Sequence, residues 1–269
     1  MTDSISAYVL SMERRGLAYN TIDKRRRCLR LIEGELGLEF KREQLEEWLD
    51  SRELCAKSRA VWLSHLHSFF VWGMDEEHFE SDPTARIRAP KVRRKLPRPM
   101  SDEDLGLALS KATPLLRLWL LLEAFEGLRC QEVAGLRKED VMVPQGLLRV
   151  TAAKGGEERV LPLHPEVRKA LKRCKLAPYG PLFLDSNGNP VRAGAVSQKL
   201  GNHLRSLGIT STPHSLRHFF ATNVYGASLD LRLTQELLGH KSVATTSIYA
   251  AADMRKAAGV VGALGVSAA

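Results

Sequence analysis

Two stretches of the 269-residue chain carry its most distinctive residues, Pro-His-Ser-Leu-Arg-His at 213–218 and Leu-Leu-Gly-His-Lys-Ser at 237–242. His214 and Arg217 lie three positions apart, so on a helix their side chains point the same way. Apolar residues keep a helical spacing from Val196 onward. This spacing predicts a largely helical carboxyl-terminal region that presents a histidine and an arginine together.

Upstream of these stretches the sequence predicts two helices followed by a β-hairpin. Ser101 and the three acidic residues after it are typical of a helix start, because a serine caps backbone N–H groups and acids suit the positive end of the helix dipole. The apolar segment 115–127 predicts a central helix. Two β-type runs at 147–150 and 159–163 flank paired glycines, which predicts a hairpin with Lys154 on its turn.

A basic segment precedes this region. Residues 86–99 hold seven basic residues, three prolines and no acid, a composition typical of an extended interdomain linker. Two interpretations of its charge remain open: a strap over the phosphates of a nucleic acid, or a solvated tether that binds nothing.

The first 85 residues have helical patterns throughout. Ile22, Leu29 and Ile32 form one apolar stripe. The other face of that helix is basic: Lys24, Arg25, Arg26, Arg27 and Arg30. This face is a candidate phosphate contact, but charged runs are more often merely solvated, and residues 1–85 carry 12 basic against 16 acidic residues.

A second helix is predicted over 58–72, where six apolar residues follow helical spacing and indicate a core-facing stripe: Val61, Trp62, Leu66, Phe69, Phe70 and Trp72. We therefore interpret its aromatic residues as packing residues. The predicted fold is mainly α with a small antiparallel β-sheet. It has two domains, a helical one at 1–85 and an α+β one at 101–269, joined by the linker at 86–100.

Composition limits the function. The net charge of +9 suggests a polyanionic partner. The densest apolar run, 118–122, is too short to span a bilayer, and the first residues lack a secretory signal. The four cysteines form no C-x-x-C pair, which indicates reduced thiols. We expect a cytoplasmic protein that has no membrane partner.

Together, the motifs resemble those of the tyrosine recombinases, the family of phage integrases and Xer-type resolvases. The family's six catalytic positions are matched in order by Arg129, Lys154, His214, Arg217, His240 and Tyr249. The Leu-Gly-His box and the later tyrosine are the most specific of these matches. The resemblance covers the carboxyl-terminal half fully and the amino-terminal half more loosely.

The resemblance implies a role for each residue. Tyr249 is the nucleophile that forms a 3′-phosphotyrosyl intermediate, Arg129 and Arg217 bind the phosphate, and Glu132 supports them from behind. Lys154 is the general acid, His214 the candidate base and His240 a hydrogen-bond donor. The chemistry needs such residues, because a phosphate in transfer gains charge that two arginine forks can bind, and a phenol with a pKa of ~10 needs activation. No metal, ATP or other cofactor is implied.

The expected partner is double-stranded DNA. Its candidate contacts are Lys24, Arg25, Arg26, Arg27, Arg88, Lys91, Arg93, Arg94 and Lys95. The resemblance implies a helical core-binding domain at 1–85. It also implies a homotetramer on two synapsed sites that exchanges strands through a Holliday junction and is monomeric or weakly associated off DNA. An accessory directionality factor is an additional candidate partner. The tail 250–269 is a candidate contact with a neighbouring subunit, or a frayed end.

Several functions stay open. The chain has no room for the arm-binding module of larger integrases, so it is expected to resemble the short forms. We favour a phage or mobile-element integrase, with an Xer-type dimer resolvase as the alternative. A type IB topoisomerase or a non-catalytic DNA-binding protein is more remote. A zinc site at His214 and His218 lacks a third ligand. His65 and His67 match a relaxase motif but fall within a predicted helix.

Overall fold

The computed structural model describes residues 3–91, 98–151 and 158–239. The chain divides into two compact units, Met1–Arg94 and Lys95–Ala269. Most of the described chain is helical, and its strands form a single small antiparallel sheet. The predicted fold class is therefore confirmed.

The amino-terminal unit contains four described helices: α1 (Ser4–Arg14), α2 (Tyr19–Leu36), α3 (Arg42–Asp50) and α4 (Ala56–Asp75). Each helix buries one apolar stripe in a shared core, and the predicted stripe Ile22, Leu29 and Ile32 of α2 lies in it. Tyr8 of α1 contacts Phe69 edge to face in the same core. This unit is stabilised by apolar and aromatic packing between helices.

Helix α4 agrees with the prediction except at one position. Phe69, Phe70 and Trp72 are buried, which confirms that they are packing residues. Val61 was predicted to face the core, but its side chain is 42% exposed, and Leu63 is buried instead. Leu63 precedes the buried Leu66 and Phe70 by three and seven positions, so it lies on the core-facing side of the helix.

The carboxyl-terminal unit begins with three helices, α5 (Asp102–Ser110), α6 (Pro114–Phe125) and α7 (Cys130–Gly135). After a short 3-10 helix (Lys138–Asp140) come β1 (Val141–Met142), β2 (Leu147–Val150) and β3 (Arg159–Pro162). The last four described helices are α8 (Pro165–Arg173), α9 (Ala193–Ser206), α10 (Pro213–Ser228) and α11 (Leu231–Leu238).

Helix α6 is the centre of this unit, as its composition predicts. Every residue from Leu118 to Ala124 is buried, as expected for a helix that is apolar on all sides. It packs against α8, α9 and α10. Helix α5 begins where predicted, with the Ser101 side chain accepting the N–H of Asp104 at 3.1 Å. The middle of α6 therefore shares one core with Leu216 and Phe219 of α10.

The sheet has the order β1-β2-β3, with antiparallel neighbours. The two predicted strands are confirmed as β2 and β3, and Val150 pairs with Arg159 at the end next to the segment that connects them. Strand β1 has only two residues, too few to show a period of two in the sequence. No helix within the described parts of the chain is long and apolar enough to cross a membrane.

Candidate active site

The predicted site begins where α6 ends. Gly127 has φ +64°, in the left-handed region, and a Cβ atom there would collide with the ring of Phe220 on α10. A glycine is therefore required both for the turn and for the close approach of α10. The turn leads directly to Arg129, the residue before α7. Arg129 thus projects from a helix start, with its side chain 41% exposed.

Glu132 holds Arg129 in place. One carboxylate oxygen accepts the backbone N–H of Arg129 at 2.8 Å, and the other accepts its guanidinium Nη1 at 2.9 Å. The Glu132 side chain is only 4% exposed. The acidic residue therefore supports the arginine from the buried side and leaves the rest of its guanidinium to the surface.

Arg217 reaches the same carboxylate from α10. It is one of the largest fully buried side chains among the described residues, and its Nη1 lies 3.6 Å from Glu132 Oε2. Its guanidinium also donates to the carbonyls of Gly127 and Leu238. Two arginines 88 positions apart in the sequence thus meet at one buried anion.

A third arginine, which was not among the predicted site residues, completes the cluster. Arg159, at the start of β3, donates Nη1 and Nη2 to the two oxygens of Glu132, each at 2.9 Å. Its position in the strand indicates that its side chain faces the core. Arg159 shares the parity of the buried Leu161, so strand alternation alone points it inward. An inward-facing charge on a strand needs a buried partner.

The electrostatics of the cluster favour an anionic ligand. Burial would raise the pKa of Glu132, but its hydrogen bonds with Arg159 and the charges of Arg159 and Arg217 outweigh burial and lower the pKa to about 2. Glu132 is therefore ionised at neutral pH. Three guanidinium groups face this one carboxylate, so the cluster keeps excess positive charge, which is suited to a phosphate.

Two histidines of α10 lie beside the arginines. Burial, followed by the charges of Arg217 and Arg129, lowers the pKa of His214. The ring of His218 lies 4.4 Å from that of His214 in an edge-to-face arrangement, and burial lowers its pKa to about 4. Both rings are therefore neutral near pH 7, the state in which an imidazole can accept a proton.

The structure thus brings together four predicted site residues, Arg129, Glu132, His214 and Arg217. Lys154, His240 and Tyr249 lie outside the described residues, as does the predicted tail contact at 250–269. Within the described ranges, no group of three or more metal-ligating side chains is found.

The predicted DNA contacts are not equivalent to one another. Lys24, Arg26 and Arg27 of α2 are exposed, and the latter two form ion pairs with Asp23. Arg25 instead turns inward and donates to the Tyr8 hydroxyl at 2.9 Å. This internal bond gives Arg25 a packing role that the charge pattern of the helix does not reveal.

The remaining predicted contacts lie in the linker. Arg88 and Lys91 are exposed. Arg93, Arg94 and Lys95 fall outside the described residues.

Comparisons with known proteins find similar sequences and similar folds. The family model named Phage integrase family matches residues 107–256. Tyrosine recombinase XerC of Xylella fastidiosa (strain M23) is 35% identical over 262 residues, which cover 90% of this chain and 89% of the relative.

Two solved structures show the same fold. The integrase of mycobacterium phage Brujita is 27% identical with a TM-score of 0.51, over 95% of this chain and 90% of that one. A lambda integrase tetramer bound to a Holliday junction is 21% identical with a TM-score of 0.73, over 89% of this chain and 76% of that one. Because its sequence identity is lower, the similarity to lambda integrase supports the fold alone.

Proposed function

The chain belongs to the phage integrase family of tyrosine recombinases and is a site-specific recombination enzyme, and we propose that it cleaves and rejoins DNA with Tyr249 as the nucleophile. One observation carries the proposal. Arg129 and Arg217 meet on the buried Glu132, next to a histidine whose pKa is lowered. This is the arrangement that phosphoryl transfer to a phenol oxygen requires.

The proposed reaction balances without an outside reactant. Tyr249 Oη attacks the phosphorus, a phosphotyrosine bond forms, and the bond from phosphorus to the 5′ oxygen breaks. His214 takes the phenol proton, Lys154 gives a proton to the departing 5′ oxygen, and His240 donates a hydrogen bond to the phosphate. A 5′ hydroxyl from a partner strand then reverses the attack. One phosphodiester replaces another, so no ATP is consumed.

The arginines supply the transition-state charge in this scheme. A phosphate in transfer gains negative charge on its non-bridging oxygens, and preorganised donors stabilise that charge most strongly in a site that excludes water. Arginines here do what Mg²⁺ does in other phosphoryl-transfer enzymes. Replacing Arg129 with Gln should slow cleavage by ~10²–10³-fold, the usual cost of one such donor.

We further propose the Xer-type role, in which two identical sites recombine and resolve chromosome or plasmid dimers. The long match to XerC at 35% identity supports it. The phage integrase role that the sequence analysis favoured is the second candidate, supported by the likeness to the Brujita integrase over 95% of the chain.

The proposed assembly is a homotetramer on two synapsed DNA sites, in the cytoplasm where such DNA lies, and monomeric off DNA. The lambda integrase tetramer on a Holliday junction supports it by analogy of fold. Residues 1–85 would serve as the core-binding domain, with the exposed basic side chains of α2 and the linker 86–100 along the phosphates. A directionality factor would belong to the integrase role.

Covalent capture tests both the reaction and the role. Protein is incubated with fragmented DNA from cells that carry its gene, denatured, and the attached DNA is sequenced. A resolvase should attach at copies of one common site. An integrase should attach at two different sequences that share only a short core.

A nicked form of the captured site then tests the nucleophile. The wild-type chain should form a covalent adduct that survives a denaturing gel, and Tyr249→Phe should form none. Tyr179→Phe is the matched control, because Tyr179 is 79% exposed and should not matter. An adduct that persists in Tyr249→Phe contradicts the proposal.

A further inference from the structure

Arg159 is engaged entirely within the protein. Its side chain is 9% exposed. Two nitrogens bind the two oxygens of Glu132, and the third, Nε, donates to the carbonyl of Leu237 at 2.9 Å. A planar guanidinium matched to both oxygens of a carboxylate is a strong and geometrically specific pair. All three guanidinium nitrogens of Arg159 therefore have partners inside the protein, which favours a supporting role for this side chain.

These bonds join three elements that carry site residues. Arg159 begins β3, five positions after Lys154, and Glu132 lies on α7 behind Arg129. Leu237 is the next-to-last residue of α11, three positions before His240. One side chain therefore connects the base of the hairpin, the support of the arginine pair and the helix that leads to the later histidine.

Gly239 fits the same arrangement. It has φ +62°, and a Cβ atom there would come within 2.8 Å of Arg159 Nη1. The glycine of the Leu-Gly-His box thus serves two purposes: it ends α11 in the left-handed conformation and lets the chain pass over the Arg159 guanidinium.

We propose that Arg159 is a positioning residue, which fixes Glu132 so that Arg129 and Arg217 are held at the spacing a DNA phosphate requires. This inference rests on the proposed function, since it names what presents the two arginines to the phosphate. Each Glu132 oxygen is shared between Arg159 and one of the other two guanidinium groups. Without Arg159, the carboxylate is free to turn and to draw Arg129 and Arg217 onto itself.

The test separates chemistry from binding and from folding. Arg159→Gln should slow single-turnover cleavage of the nicked site by roughly 10–100-fold. This is the usual cost, in metal sites, of removing the partner that orients a ligand residue, and Arg159 orients Glu132 in the same way. DNA affinity in a gel shift should stay within about threefold, because the three guanidinium nitrogens of Arg159 bind groups of the protein itself. Arg159→Lys keeps the charge without the two-pronged geometry and should recover part of the rate.

The matched control is Arg149→Gln on the neighbouring strand β2. Arg149 also pairs with a buried carboxylate, Asp140, at 3.0 Å, but lies outside the three-arginine cluster. Arg149→Gln should leave the cleavage rate within about threefold of wild type. The substitution removes one ion pair, whose arginine is 41% exposed, and leaves the contacts of Glu132 intact. Thermal unfolding of every variant shows whether the fold survives, and if Arg159→Gln does not fold, Arg159→Lys carries the comparison.

A double variant tests the route through Glu132. If Arg159 acts through Glu132, the variant Arg159→Gln with Glu132→Gln should cleave within about threefold of the slower single variant, since residues that act as a unit are not additive. Folded Arg159 variants that cleave at the wild-type rate, or effects that multiply, overturn the inference. A wild-type chain that forms no adduct overturns the proposed function instead.

Discussion

Two buried glutamates, nine positions apart, have opposite charge states. Glu132 lies on α7 and Glu123 in the middle of α6, and both are at least 95% buried. The pKa of Glu132 falls to about 2. The pKa of Glu123 rises to about 8, because burial dominates and the Cys130 thiol, which donates to this carboxyl at 2.9 Å, offsets burial only in part.

The difference shows that burial alone does not set the charge of a side chain. Desolvation penalises both carboxylates, but only Glu132 has guanidinium groups within bonding distance to offset it. The α7 region is therefore built to keep an anion, and the α6 region to keep a neutral acid. Of the two, the arrangement around Glu132 is the one that holds arginines together.

The largest test of this contrast is Glu132→Gln. It leaves the guanidinium groups of Arg129, Arg159 and Arg217 without their anion, and removing one partner of a buried pair costs ~3–5 kcal/mol. The free energy of unfolding, measured with denaturant, should fall by that amount, and adduct formation should slow at least as much as in Arg159→Gln.

Glu123→Gln is the comparison for this experiment. At about pH 4.5 Glu123 is neutral in the folded protein and only partly ionised in the unfolded chain, so its replacement should change the unfolding free energy by ~1 kcal/mol or less, as for one neutral hydrogen bond. Equal losses in the two variants would show that the cluster does not depend on the charge of Glu132.

A second prediction concerns pH. The folded-state pKa of Glu123 lies above its ordinary value of 4.5, so its stabilising contribution is complete below pH 4.5 and is lost as pH rises toward 8. Glu123→Gln removes this loss. The variant should therefore gain stability relative to wild type between pH 5 and 8, by at most ~1.4 kcal/mol per pH unit.

Glu132 should behave in the opposite way. Its folded-state pKa is lowered, so its contribution is complete above pH 4.5 and is lost as pH falls toward 2. Glu126 is also buried, with its pKa raised to about 7 by burial, but it is present in both chains and cancels in the difference. A difference between Glu123→Gln and wild type that does not change with pH would contradict the prediction.

Sequence predicted the elements of the fold because their signals are local. The Ser101 cap, the apolar helix α6 and the strands β2 and β3 each follow from residues within one short window. The exceptions came from register. Val61 and Leu63 differ by two positions, and which of them faces the core depends on partners elsewhere in the chain.

The site residues were predicted through the family resemblance. The residue that the prediction missed is held by contacts with residues distant in the sequence. Glu132 was found because it follows Arg129 by three positions. Arg159 was missed because its partners, Glu132 and Leu237, lie 27 and 78 positions away. The neutral state of Glu123 was equally hidden, since an acid within an apolar helix gives no indication in sequence of what surrounds it.

The smallest expected effect concerns the thiol that marks the neutral carboxylate. Cys130→Ala removes the donor to Glu123, and that hydrogen bond lowers the pKa of Glu123 against the effect of burial. The midpoint of the Glu123 titration, followed by carbon NMR, should therefore rise further. Unfolding free energy should fall by ~1 kcal/mol, the net value of one hydrogen bond.

Two further variants serve as controls for Cys130→Ala. Cys130→Ser keeps a donor and should move the midpoint less, whereas Cys28→Ala removes a buried thiol from the other unit and should not move it at all. The adduct rate of Cys130→Ala should stay within about threefold of wild type, because Glu132 keeps its three arginines and coupling fades without shared partners. An unmoved midpoint would mean that burial alone sets the charge of Glu123, and the two carboxylates would then differ only in their arginines.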